Sequence, residues 1–423
     1  MTEHTKKRAP KHHPAGAGRP SDSAAGTDLP VFAQPVPSAD PTSFKDPVTD
    51  QNLKEVASVE AVPQPPGGAI EPVLTLSETL GSAGPSAVAA IQKAGQIVFH
   101  SVGDTGSVQG PATQSLVADK MTADFTEENT ADIPSFFYHL GDVVYYFGEA
   151  AYYYDQFYEP YRNYPAPIIA IPGNHDGVLS PESTVPTLDA FLRNFCSATA
   201  THSPDAAGLA RTAMIQPGVY FTLDAPFVRI LGVYSNVLED PGVISSEAGT
   251  RPTLDDRQLA FLTAALTRCK NENYTGAVLI AVHHPPYTGG VNHGGSPRMV
   301  QDLDTAATQA GFWPHAVLSA HTHNYQRYTR TVAGYSVPYF VAGMGGHDLV
   351  VMRTLASGKA IRTPAAIDSS LTLASYDDTH YGYLRIVVNA ETMTIEFHPA
   401  EDGSTTKTPD DTVTIDLKSR TIS

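Results

Sequence analysis

The 423-residue chain carries 44 acidic against 27 basic side chains, a formal net charge of −17 that argues against a general polyanion-binding surface such as a DNA cleft. Two cysteines, Cys196 and Cys269, lie far apart in helix-like segments and read as buried thiols, making neither a disulfide framework nor a zinc cluster. No window reaches the roughly 18 apolar residues of a membrane span.

Residues 1–70 are rich in Pro, Ala, Gly, Ser and charge, without a sustained hydrophobic period. They read as a disordered tail, unable to bury enough apolar surface to offset its ordering entropy. His12 and His13, beside Lys11, read as part of this solvated tail and not as a metal or anion site. The charged start Met1–Arg8 is followed by no apolar core of a secretory signal, so the expected location is cytoplasmic. Residues 71–95 read as a linker with a short helix over Ser86–Ala94, stopped by Gly95. Residues 96–423 read as the catalytic domain.

That domain opens with the buried strand Ile97–Val102, which ends at Gly103-Asp104-Thr105-Gly106. Phe136–Leu140 is a second strand, ending at Gly141-Asp142-Val143-Val144-Tyr145. Ile168–Ile171 is a third, followed by Gly173-Asn174-His175-Asp176. Val228–Val233 follows, then Val278–Val282 with His283-His284-Pro285 after it. Ala316–Ser319 leads into Ala320-His321-Thr322-His323, and Pro338–Ala342 into a Gly-rich turn with His347. Helical periods lie between, over Gln114–Asp124, Tyr152–Glu159 and Asp255–Lys270. Short apolar strands alternating with helices predict an α/β layered fold. The last strands, Tyr383–Val388, Thr394–Phe397 and Thr412–Leu417, alternate as an antiparallel meander closing the sheet. The stretches 180–217 and 357–380 are long and loop-rich, as lids and binding loops often are.

Polar motifs recur at the C-terminal strand ends, where open α/β sheets place their ligands. They supply Asp104, Asp142, Tyr145, Asn174, His283, His321 and His323: carboxylate, phenolate, amide and imidazole donors. Seven donors exceed one ion that must keep an open position, and suit two ions sharing a carboxylate. Two ions about 3.5–4 Å apart can activate water near pH 7 and clamp a phosphate between them, so no Ser or Cys nucleophile is needed.

The ordered motifs Gly-Asp-x-Gly, Gly-Asp-x-x-Tyr, Gly-Asn-His-Asp, His-x-Pro and Ala-His-x-His resemble those of the calcineurin-like metallophosphoesterase superfamily, over about residues 96–350. The wider superfamily commonly opens with Asp-x-His, and here Gly106 stands where that His would be. The purple acid phosphatase branch lacks the same His and replaces it with the tyrosine of the second motif, present as Tyr145. The resemblance implies a β-sheet sandwich flanked by helices, with metals at the C-terminal strand ends. It implies that Asp104, Tyr145 and His323 hold one ion, that Asp142 bridges, and that Asn174, His283 and His321 hold the other. It places His175 beside the substrate phosphate and makes His293 a candidate proton donor to the leaving oxygen.

The first ion would have three anionic oxygen donors, the second mostly neutral ones. A phenol titrates near pH ~10, so only a strongly acidic ion displaces its proton. The expected pair is therefore Fe(III) with Fe(II), Zn(II) or Mn(II). For other residues two readings stand. Nine of the 20 tyrosines lie between Tyr138 and Tyr164, so Tyr145 could be core. Tyr154 and Tyr158 at helical spacing read as packing, and His284 as packing or support. Arg327 could reach a phosphate or make a structural ion pair. The expected activity is hydrolysis of a small phosphorylated substrate, a monoester first, with no nucleic-acid or membrane partner. A phosphodiesterase, a nuclease and an inactive metal-binding module are the alternatives.

Overall fold

In the computed structural model, which describes residues 59–180 and 182–423, the chain sorts its apolar runs into two sheets. It begins with β1 (Val73–Thr75), α1 (Leu76–Thr79), α2 (Gly84–Ala94), β2 (Gln96–Val102) and α3 (Ala112–Ala123). Next come β3 (Phe137–His139), α4 (Ala150–Tyr153) with a π-helical turn over Tyr154–Tyr158, β4 (Ile168–Ala170), α5 (Asn174–Gly177) and α6 (Asp189–Phe195). The middle holds β5 (Phe221–Ala225), β6 (Val228–Val233), α7 (Arg257–Asn271), β7 (Ala277–Val282), α8 (Pro297–Ala310) and β8 (Ala316–Ser319). The rest is β9 (Tyr325–Val332), β10 (Tyr335–Ala342), β11 (Ala365–Ala366), β12 (Leu371–Asp377), β13 (Gly382–Asn389), β14 (Thr392–Pro399) and β15 (Asp411–Asp416).

One sheet has nine strands in the order β1-β5-β6-β7-β8-β10-β9-β12-β11, the other six in the order β15-β14-β13-β2-β3-β4. These two sheets are the β-sheet sandwich that the resemblance implied. Each contains a parallel triplet buried on both faces, β2-β3-β4 in one and β6-β7-β8 in the other. The C-terminal meander pairs β13 antiparallel with β2 and extends the smaller sheet.

Helix α7 turns Phe261, Leu262, Ala265, Leu266 and Cys269 inward, the stripe its period demands. Helix α8 has a capping Ser296 side chain, Pro297 in its first turn and Gly311 at its left-handed end. Its inner face carries Met299, Leu303, Ala306, Ala307 and Ala310 at helical spacing, a helix absent from the sequence expectations.

Two boundaries differ from expectation. The supposed linker 71–95 carries β1, which pairs in parallel with β5 and buries Leu74. A three-residue edge strand with one inward side chain leaves almost no periodic signal. The end of the supposed tail also packs. Val59 is buried against Leu238, Val243 and Leu254, and Glu60 exchanges two 2.7 Å hydrogen bonds with the Asn236 side chain. Residues 1–58, with Lys11, His12 and His13, lie outside the described residues. Within the loop-rich stretch 357–380, β12 joins β9.

Candidate metal centre

The parallel triplets end in sharp turns that face one another. Asp104, Asp142 and His321 follow β2, β3 and β8 with φ of 54°, 53° and 65°. Few non-glycine residues adopt this left-handed region, and where they do, local strain often serves a site. Here it folds each side chain back across its strand end. The turns are tightly nested: a Cβ on Gly173 would lie 2.1 Å from Asp142 Oδ1, which is why glycine precedes Asn174.

All seven expected donors converge. Asp104 Oδ1 accepts the Tyr145 hydroxyl at 3.0 Å, and His323 Nε2 lies 3.3 Å from that hydroxyl and 3.7 Å from Asp104 Oδ1. Asn174 Oδ1 stands 3.0 Å from His283 Nε2 and 3.1 Å from His321 Nδ1. Asp142 Oδ2 lies 3.3 Å from His283 Nε2, and Asp104 Oδ1 3.9 Å from it, which joins the two groups. The smaller sheet contributes Asp104, Asp142, Tyr145 and Asn174, and the larger one the three histidines.

The tautomers decide what such a cluster can hold. His283 Nδ1 is 2.9 Å from the Leu140 carbonyl, and His323 Nδ1 2.8 Å from that of Asp348. Each gives its proton there, so the neutral ring presents a lone pair at Nε2. At His283 that lone pair faces the amide oxygen of Asn174 and the buried Asp142 Oδ2, which has no hydrogen-bond partner. Lone pairs this close, without a proton between them, fit a cation.

Without cations the cluster must hold protons instead. Burial opposes charge on His283, but Asp142 and Asp104 overcome it and push its pKa up to about 9. Burial and the neighbouring Asp142 raise Asp104, whereas His283 and His175 hold Asp142 low despite burial. Burial and both carboxylates raise Tyr145 well above the usual phenol range. Burial and neighbouring histidines lower His321 and His323, which keeps them neutral as metal ligands must be.

Residues 102–325 match the family model for calcineurin-like phosphoesterases. The chain belongs to that family. Residues 336–407 match the model for the iron/zinc purple acid phosphatase-like C-terminal region, so the chain falls in that branch of the calcineurin-like phosphoesterases. No curated protein sequence matches it significantly. Among solved structures it is similar to GAP50, the anchor in the inner membrane complex of Plasmodium, with a TM-score of 0.49, 11% identity, and coverage of 75% of this chain and 87% of that one. It is also similar to PhoD, with a TM-score of 0.45, 12% identity and coverage of 78% and 71%. The family assignment rests on the two model matches.

The other singled-out residues sort by their contacts. His175 lies beside the cluster: its backbone N–H donates to Asp142 Oδ1 at 2.9 Å, and its Nδ1 is 2.9 Å from the Tyr146 carbonyl. His293 packs against His321, with ring centroids 4.3 Å apart and planes tilted by 53°. His284 is spent on Ser235 Oγ and the Leu238 carbonyl, both at 2.7 Å. His347 lies parallel to the Tyr145 ring at 3.8 Å. Arg327 binds Asp411 through two hydrogen bonds of 2.7 and 2.9 Å, a structural pair. Tyr158 donates to Asn194, and Tyr154 is partly exposed.

Glu239 and Asp240, in the loop after β6, had no place in the sequence motifs. Asp240 Oδ1 is 3.7 Å from His321 Nε2 and Asp240 Oδ2 3.6 Å from His293 Nδ1. Glu239 lies 4.0 Å from His175 Nε2 and 3.9 Å from His293 Nδ1. The available signal was an acidic pair following β6, a buried parallel strand of the larger sheet that carries no donor motif.

Proposed function

We propose that this protein hydrolyses phosphate monoesters at two adjacent ions, one held by Asp104, Tyr145 and His323, the other by Asn174, His283 and His321, with Asp142 shared. The observation that carries this reading is the set of lone pairs facing each other around Asn174 Oδ1, His283 Nε2 and Asp142 Oδ2. When bound there, the ions would acidify water and neutralise phosphate charge.

The remaining work falls to protein groups. His175, its Nδ1 2.9 Å from the Tyr146 carbonyl, would contact a phosphate oxygen through Nε2. His293 protonates the leaving oxygen. Burial opposes its charge, but Asp240 and Glu239 raise its pKa and so keep that proton in place. Tyr145 bound as a phenolate calls for a strongly acidic ion such as Fe(III) at the first position, because a weaker Lewis acid leaves the phenol protonated. Fe(II), Zn(II) or Mn(II) completes the pair.

The acidic Glu239 and Asp240 beside both histidines favour a second reading, a diester with less charge to repel. A panel of mono- and diesters separates the two by kcat/KM. Metal content and the visible spectrum test the pair itself. Bound iron with a phenolate charge-transfer band that Tyr145→Phe removes supports it; a colourless, iron-free, fully active enzyme contradicts the iron assignment.

A further inference from the structure

We propose that Glu239 and Asp240 form a carboxylate layer behind the second ion, with Asp240 orienting His321 and Glu239 orienting Asn174. This inference rests on the two-ion reading above.

The loop after β6 emerges beside β7, so its residues overlie the donors that follow β7 and β8. His321 turns Nδ1 towards Asn174 Oδ1 and His283 Nε2, at 3.1 and 3.3 Å. A ring that gives the Nδ1 lone pair to an ion carries its proton on Nε2, and that proton needs an acceptor. His321 Nε2 is buried and has no partner at ordinary hydrogen-bond distance. Leaving it so costs about 1–3 kcal/mol. Asp240 Oδ1, only 3.7 Å away and 2% exposed, is the acceptor in reach. His284 packs on His321 with ring centroids 4.0 Å apart but cannot accept, because both its nitrogens are engaged.

Asp240 is itself held in place. Gly294 N–H donates to Oδ1 at 3.0 Å, while Oδ2 faces His293 Nδ1, a second buried ring atom without a partner. One carboxylate thus serves both the second-ion donor and the proposed proton donor. Glu239 Oε2 accepts from Asn174 Nδ2 at 3.4 Å, which keeps the amide oxygen on the ion side. The loop is anchored in turn by His284 and by the Asn236–Glu60 exchange.

Asp240, His293 and His321 could instead ligate a third ion, since their donor atoms all lie within 4.8 Å of one another. That would strip both protons from His321, so the hydrogen-bonded arrangement is favoured.

The test compares the parent protein with Asp240→Asn and Glu239→Gln, both close to isosteric. Zinc affinity of the second position is read by chelator competition, ion stoichiometry by elemental analysis, and folding by the unfolding temperature of the stripped protein. Asp240→Asn is expected to weaken the second ion about 10–100-fold, with Glu239→Gln acting in the same direction. The first ion and the stripped unfolding temperature stay unchanged. Parental affinity in Asp240→Asn overturns this inference alone, as does a third equivalent that Asp240→Asn removes. A stripped Asp240→Asn protein that unfolds at lower temperature also overturns it, by assigning Asp240 to the fold. A parent protein that binds no ion overturns the two-ion reading first, and this inference with it.

Discussion

Asp142 is the residue on which the two donor groups depend, since its carboxylate lies between them. Asp142→Asn keeps the shape but loses the charge that two cations would share. It is expected to reduce kcat by about 10³-fold or more and to empty at least one position. His175→Ala should keep both ions and lower kcat by about 10²–10³-fold, the cost of losing a donor to developing charge. Elemental analysis beside kcat separates these outcomes: lost metal in His175→Ala would make it a ligand. Protonation gives a second expectation. The folded pKa of His283 is raised to about 9 from its ordinary 6.5, so its contribution to stability is present below pH 6.5 and lost as pH rises through 9. Asp104, also raised, acts in the same direction. Bound ions would replace those protons. The unfolding temperature of stripped protein should therefore fall between pH 6.5 and 9, and its gap to the metal-loaded protein should widen. A constant gap would mean that ions and protons do not compete at these groups. At this scale the seven donors were legible because each follows a strand within a short, ordered motif. Glu239 and Asp240 were not, because a supporting carboxylate can come from any nearby loop and needs no fixed spacing.

Elements hold the site by joining the sheets. Arg327 on β9 and Asp411 on β15 form a two-bond ion pair between the two sheets, and the Tyr325 hydroxyl adds a third bond at 2.6 Å. Arg327→Ala leaves Asp411 mostly buried without its cation and should cost about 3 kcal/mol of stability. Its KM for a phosphomonoester should not change; a rise in KM with unchanged stability would make Arg327 a phosphate contact. The segment around Val59–Gln64 makes a different join. It clamps the loop that carries Glu239 and Asp240, through the Asn236 exchange and the Val59 cluster. Truncation before Val59 is expected to leave stability and activity unchanged. Truncation through Pro65 should cost about 2–4 kcal/mol, from a buried Val and two hydrogen bonds. Thermal unfolding of both truncated proteins checks this, and equal stability would show that the segment contributes nothing. The sequence missed these features for related reasons. The edge strand β1 is too short to show a period and a side chain clamped by backbone leaves no pattern, whereas α8 carries a helical stripe through Met299, Leu303 and Ala306 that was legible in the sequence but absent from the expectations.

The whole molecule brings two half-sites together. Carboxylates, phenol and amide come from the ends of β2, β3 and β4, and imidazoles from the ends of β7 and β8. Neither sheet alone brings the seven donors together, which is why they are spread from Asp104 to His323 in sequence. The net charge of −17 fits this arrangement, since cations at the centre and not the surface would attract a phosphate. Most of the parallel strands, the class of fold and the donor set could be read from strand-end motifs. That the strands divide into two sheets came only from the family resemblance, because pairing partners leave no local signal. The central claim is that two ions at this junction carry out phosphate-ester hydrolysis. The most direct measurement is turnover of a phosphomonoester by chelator-stripped protein as metal is titrated back. Activity absent at the start and rising to a break at about two equivalents is the result predicted from two ions sharing Asp142. Turnover that persists in fully stripped protein, or none with any iron, zinc or manganese combination at full occupancy, would contradict it.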